Sequence, residues 1–122
     1  MTRILIHEPN ENLDECFSSL QREGAEVVVC RDREGLVGAL GDRRPDVLVY
    51  VIQDLAGDLE LLAVLRRVAP TLPIILLGRA SELGSRRSIQ ELKPTYFGVF
   101  PLEPSELSDA VHGALRRRAG HA

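Results

Sequence analysis

Apolar positions along this chain gather into five short runs, centred on Arg3–His7, Ala25–Cys30, Val47–Ile52, Pro73–Leu77 and Tyr96–Phe100. Between them, apolar residues recur every three or four positions. The run Val47 to Ile52 sets the frame: it shows no alternation of apolar with polar residues, the pattern of a strand covered by helices on both faces. Strand-like and helix-like segments then alternate to the end of the chain. With strand starts near residues 3, 25, 46, 73 and 96, the spacing suits right-handed crossovers within one parallel sheet. The pattern predicts a small doubly wound α/β domain with five strands and five helices.

The intervening segments carry helix signals of unequal strength. Asn10, Glu11 and Asn12 offer capping side chains before a helix lined by Leu13, Cys16, Phe17 and Leu20, and Gly24 ends it. Asp32 is a cap for a second helix with Leu36, Val37 and Leu40 inward. Gly35, Gly38 and Gly41 recur within it, each costing ~1 kcal/mol relative to alanine, so this helix is expected to fray or to pack unusually close. The segment Asp54 to Asp58 leads into a third helix with Leu61, Leu62, Leu65 and Val68 on its inner face, stopped by Pro70. Ser81 caps a largely polar fourth helix running to about Leu92, in which Leu83, Ile89 and Leu92 are the large apolar residues and Gly84 is a weak point. Pro104 opens the last helix, which turns Leu107, Val111 and Leu115 inward.

Composition narrows the functional classes. The 122 residues fit one domain, and 44% apolar with 27% charged residues is ordinary for a water-soluble fold. No apolar stretch approaches the ~20 residues of a membrane span, and no signal-peptide pattern precedes the first strand, so the expected location is the cytoplasm. A net charge of -3 argues against direct nucleic-acid binding. Arginines cluster at 43–44, 66–67, 86–87 and 116–118, where solvated helix surface is the simplest reading. Cys16 and Cys30 lack metal-ligand or redox spacing and read as small buried side chains. No Walker loop, dinucleotide fingerprint or Ser/His/Asp arrangement appears.

The segments Arg3-Ile4-Leu5-Ile6, Pro45-Asp46-Val47-Leu48-Val49, Pro73-Ile74-Ile75-Leu76-Leu77 and Phe97-Gly98-Val99-Phe100-Pro101 resemble the strands of bacterial response-regulator receiver domains, over nearly the whole chain. The resemblance implies a CheY-like, flavodoxin-like sheet in the order 2-1-3-4-5, with the site at the C-terminal strand ends beside strands one and three. Phosphorylated receivers carry an acidic pair after strand one, an acceptor aspartate ending strand three, a hydroxyl ending strand four, and a lysine before the proline that follows strand five. Here those positions fall at Glu8-Pro9, Val51, Gly78 and Phe100. Valine has no nucleophilic oxygen, and Glu8 alone would offer magnesium a side-chain ligand. The resemblance therefore implies a pseudo-receiver with no phosphoacceptor, catalytic group, metal or cofactor.

Two residues imitate the missing groups. Lys93 precedes a proline but lies too close to Gly78 to leave room for a loop, a helix and a strand. Asp54, three residues beyond Val51, becomes an acceptor only if strand three runs past its apolar stretch. His7 is expected to be packed and hydrogen-bonded, and Arg79 to point to solvent. The resemblance further implies a protein partner or homodimer through the face of helix four, strand five and helix five, around Phe97, Arg86, Arg87 and Asp109. A single receiver-like domain over 1–122 is of the kind found at the N-terminus of longer regulators, and its losses resemble those of NtrC-class flagellar regulators. The function expected is a non-enzymatic, phosphorylation-independent interaction module in signalling or transcription regulation. The alternatives are a small-molecule sensor reusing the emptied pocket and an active receiver phosphorylated on Asp54.

Overall fold

The apolar runs become strands and the periodic segments become helices, in the order β1 (Arg3–His7), α1 (Asp14–Arg22), β2 (Glu26–Cys30), α2 (Arg33–Asp42), β3 (Val47–Val51), α3 (Leu55–Val68), β4 (Ile74–Gly78), α4 (Arg86–Glu91), β5 (Tyr96–Val99) and α5 (Pro104–Gly120). This computed structural model describes residues 2–9, 14–79 and 86–120. All four pairings are parallel, and the sheet order is β2-β1-β3-β4-β5. The predicted caps Asn10, Glu11, Asn12 and Ser81, together with Leu13, Leu83 and Gly84, lie outside the described residues. Among the described residues, no helix is long and apolar enough to cross a membrane.

Side-chain parity divides the core into two halves, one on each face of the sheet. Ile4, Ile6, Val47, Val49, Val51, Ile75 and Leu77 face α1 and α5, where Cys16, Phe17, Leu20, Leu107, Val111 and Ala114 meet them. Leu5, Leu48, Tyr50, Ile52, Ile74 and Leu76 face the opposite way, onto Leu36 of α2, Leu62 of α3 and Ile89 of α4. Both faces of β3 are covered, which is why its sequence shows no alternation. The two cysteines are buried, as expected, and burial pushes both thiols above the ordinary range.

Four sequence readings need correction. Val37 and Val68, expected inward, are 55% and 69% exposed, because each helix is rotated so that Leu36 in α2 and Leu62 in α3 take the buried stripe. Helix α2 is neither broken nor tightly packed at Gly38 or Gly41, beside which a Cβ would meet open space. Its start is set by the Asp32 side chain, which accepts from the Gly35 N–H at 2.7 Å. Helix α3 begins at Leu55, so Gly57 and Asp58 belong to its first turn. Arg66 is not solvated surface: its guanidinium donates to the carbonyls of Leu92 (3.0 Å), Leu72 (2.7 Å), Pro70 and Lys93 (both 3.3 Å), tying α3 to the segments that flank β4 and β5.

Candidate functional site

The strands end together at one edge of the sheet, and the parallel order places β1 and β3 side by side there. In an open α/β sheet the crevice outside these C-terminal ends is the usual ligand site. A cleft of about 340 Å³ opens there, lined by Val51, Ile52, Gln53, Arg79, Phe100, Pro101 and Leu102. Its frame is fixed by backbone bonds from Ile52 N–H to the Leu77 carbonyl (2.8 Å) and from Phe100 N–H to the Gly78 carbonyl (2.9 Å). The Phe100–Pro101 peptide is cis. Gly98 leaves room for the Leu77 and Leu102 side chains, whose methyls lie 2.9 and 3.4 Å from where a Cβ would stand.

Of the five positions singled out in sequence, Val51 and Phe100 line this cleft, and Gly78 ends β4 beneath it, paired with Val99. Glu8 and Pro9 follow β1 and do not line it. Glu8 is fully buried; its N–H donates to the Cys30 carbonyl (3.0 Å) and its carbonyl accepts from Arg31 Nη1 (3.0 Å). Val51 is 3% exposed and belongs to the α1/α5 half of the core. An apolar residue therefore closes the end of β3, and among the described residues that line the cleft Arg79, which is exposed, carries the one formal charge. Among the described residues, no group of three or more His, Cys, Asp or Glu could hold a metal ion.

The groups that imitate missing chemistry stand elsewhere. Lys93 follows α4 in a left-handed conformation (φ 51°), before β5 begins, so it does not reach the cleft. Asp54 is the exposed N-cap residue of α3 and makes no capping bond with its side chain. On the expected partner face, Arg87 and Asp109 are exposed and Phe97 is half-buried against the α2/α3/α4 half of the core; the side chain of Arg86 lies outside the described residues. Strand β5 is an edge of the sheet, and Tyr96 on it is 37% exposed.

A second cluster, on the opposite face of the same sheet edge, escaped the sequence reading. Asp58, 4% exposed in the first turn of α3, accepts from the Tyr50 hydroxyl (2.5 Å) and from the N–H groups of Gln53 (2.8 Å) and Asp54 (3.1 Å). Arg33 at the start of α2 adds a longer contact, 3.4 Å from its Nη2. Burial, with Asp58 as acceptor, pushes the Tyr50 phenol far above its ordinary range, so the hydroxyl stays a donor. The His7 ring is packed as expected, stacked on Tyr50 at 4.4 Å, and its Nδ1 has no hydrogen-bond partner among the described residues. Burial lowers the His7 pKa, opposed by Asp58 and reinforced by Arg33. One sequence signal did exist: a tyrosine inside an otherwise aliphatic buried strand must find a partner for its hydroxyl.

These features define a CheY-like, flavodoxin-like α/β fold with five parallel strands and five helices. Solved structures with this fold include the response regulator receiver domain protein from Clostridium thermocellum (TM-score 0.87, 17% identity, 100% of both chains). The CheY-like receiver domain protein from Methanospirillum hungatei JF-1 is equally similar (TM-score 0.88, 18% identity, 100% of this chain and 99% of that one). NtrX from Brucella abortus, solved in complex with ADP, matches over 98% of this chain but 27% of its own length (TM-score 0.85, 21% identity). No protein-family model and no curated protein matches the sequence. The chain thus has the fold of response-regulator receiver domains at an identity that speaks for fold alone.

Proposed function

We propose that this chain is a phosphorylation-independent receiver-like domain that signals through protein contacts. The observation that carries the reading is the buried Val51 at the end of β3, where a phosphorylated receiver would present its acceptor carboxylate. Gly78 and Phe100 stand where the hydroxyl and the lysine would be, so a phosphoryl group would find neither a nucleophile nor a cation at those positions. On this reading the domain is not an enzyme and needs no metal. Its output surface is the α4–β5–α5 face, where the edge strand β5 and exposed Tyr96, Arg87 and Asp109 are available to a protein partner or a second copy.

The test is intact mass after incubation with acetyl phosphate and magnesium. No gain is expected in the wild type, and none in Val51→Asp, because restoring the acceptor leaves Pro9, Gly78 and Phe100 unchanged. A gain of one phosphoryl group that disappears in Asp54→Asn would establish the competing reading of an active receiver, which the exposed Asp54 at the start of α3 keeps in play.

A further inference from the structure

Three of the four large hydrophobic side chains left exposed among the described residues stand on two neighbouring helices. Val37 on α2 is 55% exposed, and Val64 and Val68 on α3 are 54% and 69% exposed. Scattered singly, such residues are ordinary; gathered on one shoulder of a domain they mark a contact surface. Helical spacing gathers them. Leu61, Val64 and Val68 follow one another at helical intervals on one side of α3, with the half-buried Leu65 beside them.

That side of α3 flanks α2. Gly57, one turn before Leu61 on the same stripe, lies against Arg33 at the start of α2, whose Nη2 is 2.5 Å from where a Gly57 Cβ would stand. Both helices return from the C-terminal to the N-terminal edge of a parallel sheet, so one turn on from this contact Val37 comes level with Leu61. One turn further along α2, Gly41 carries no side chain, and a Cβ there would meet open space. Nothing on α2 at this point stands in the way of an approaching helix.

The charges bordering the stripe select what covers it. Glu60 and Arg67, both exposed, stand two turns apart on the border away from α2, and neither has a hydrogen bond or ion pair among the described residues. An acid before the centre of the stripe and a base after it make the stripe its own complement. Turned end for end about Val64, a second α3 sets Arg67 opposite Glu60 and Glu60 opposite Arg67. A parallel pairing would leave both charges unmatched.

We propose that this shoulder binds a second copy of the chain, the two α3 helices packing antiparallel across a two-fold axis near Val64. Leu61 of each copy packs against Val68 of the other, Val37 covers the end of the seam, and two Glu60–Arg67 pairs border it. The surface is separate from the α4–β5–α5 face, and the contact holds whether or not the domain takes a phosphoryl group. The seam is short. Stable interfaces bury roughly 1,200–2,000 Å², and so few side chains place this one at the weak end, with a dissociation constant on the order of 100 µM.

The experiment is sedimentation velocity of the chain from ~10 µM to ~1 mM at ~0.05 M salt. A monomer–dimer equilibrium is expected, weakened by added salt. Val64→Glu, at a position exposed enough for the monomer to tolerate it, should weaken association by at least about tenfold. Glu60→Arg and Arg67→Glu should each weaken it by about tenfold, because each sets two like-charge pairs across the axis. The double exchange, Glu60→Arg with Arg67→Glu, should return it to within about twofold of the wild type. That rescue is particular to a two-fold contact between α3 helices. Arg87→Glu, on the α4–β5–α5 face, should leave association unchanged. A chain that stays monomeric at ~1 mM, a dimer indifferent to Val64→Glu, a double exchange no better than its single substitutions, or a dimer dissolved by Arg87→Glu would each overturn the proposal.

Discussion

The two faces of the sheet's C-terminal edge differ in chemistry. On the α1/α5 side stand Val51 and Phe100, and the end of β3 is closed by apolar atoms. On the α2/α3 side, where a hydrophobic core is expected, His7, Tyr50, Asp58 and Arg33 form a polar cluster beneath the β3–α3 connection. Asp58 holds that connection from below through the N–H groups of Gln53 and Asp54. This predicts one resting conformation of the loop, independent of any phosphoryl donor.

The largest effect should come from Asp58→Ala. It leaves a buried Tyr50 hydroxyl and two backbone N–H groups without an acceptor, at a cost of about 2–4 kcal/mol in unfolding free energy by urea denaturation. Asp58→Asn, which keeps an acceptor oxygen, should recover part of the loss. A cost below about 1 kcal/mol for Asp58→Ala would mean that the cluster is incidental and that the contrast between the two faces carries no energy.

The unequal legibility of the two faces has a physical cause. The unbroken run of β3 could be read in sequence because burial on both faces removes alternation, and the resemblance to receiver domains implied the strand order that the structure has. The polar cluster could not. Asp58 fell in the segment read as leading into the third helix, yet α3 starts at Leu55 and turns Asp58 back under β3. Tyr50 was hidden inside an apolar run, and pairing it with Asp58 requires knowing that helix start to within one residue. Val37 and Val68 were misplaced because spacing alone does not fix how far a helix is rotated about its axis.

Acidification should sharpen the comparison by a smaller amount. Burial lowers the pKa of His7 from 6.5, so the folded state binds less proton than the unfolded chain once pH falls below that value. The stability tied to neutral His7 is complete above pH 6.5 and is lost as pH drops, by at most about 1.4 kcal/mol per pH unit. His7→Phe keeps a ring against Tyr50 and removes the proton site. The melting temperature of the wild type should therefore fall relative to His7→Phe as the pH is lowered from ~7.5 to ~5.5. Glu23 is held below the ordinary carboxylate range, chiefly by the Ser108 hydroxyl at 2.8 Å, so its loss comes at lower pH and the two transitions separate. Parallel melting curves for the two proteins across this range would show that His7 is not buried as a neutral ring.

The smallest effect tests where the polar cluster ends. At Gly57 a Cβ would stand 2.5 Å from Arg33 Nη2 and 2.9 Å from Asp54 Oδ2, so Gly57→Ala must displace the guanidinium from Asp58. The Arg33 side chain is 52% exposed and its contact with Asp58 is long, at 3.4 Å, which places the pair among those contributing ~0–1 kcal/mol. Alanine in place of glycine in a helix returns about 0.5–1 kcal/mol. The two nearly cancel, and a net stabilisation of at most about 0.5 kcal/mol is expected. The same substitution in an Arg33→Gln background should show the full gain from alanine, because the displaced contact is already gone. If Gly57→Ala instead destabilises by more than about 1 kcal/mol, and Arg33→Gln does the same, the ion pair is worth more than its exposure allows and the cluster extends out to solvent at Arg33. If both are near neutral, it ends at Asp58, and the polar half of the sheet edge is an internal brace closed to anything arriving from outside.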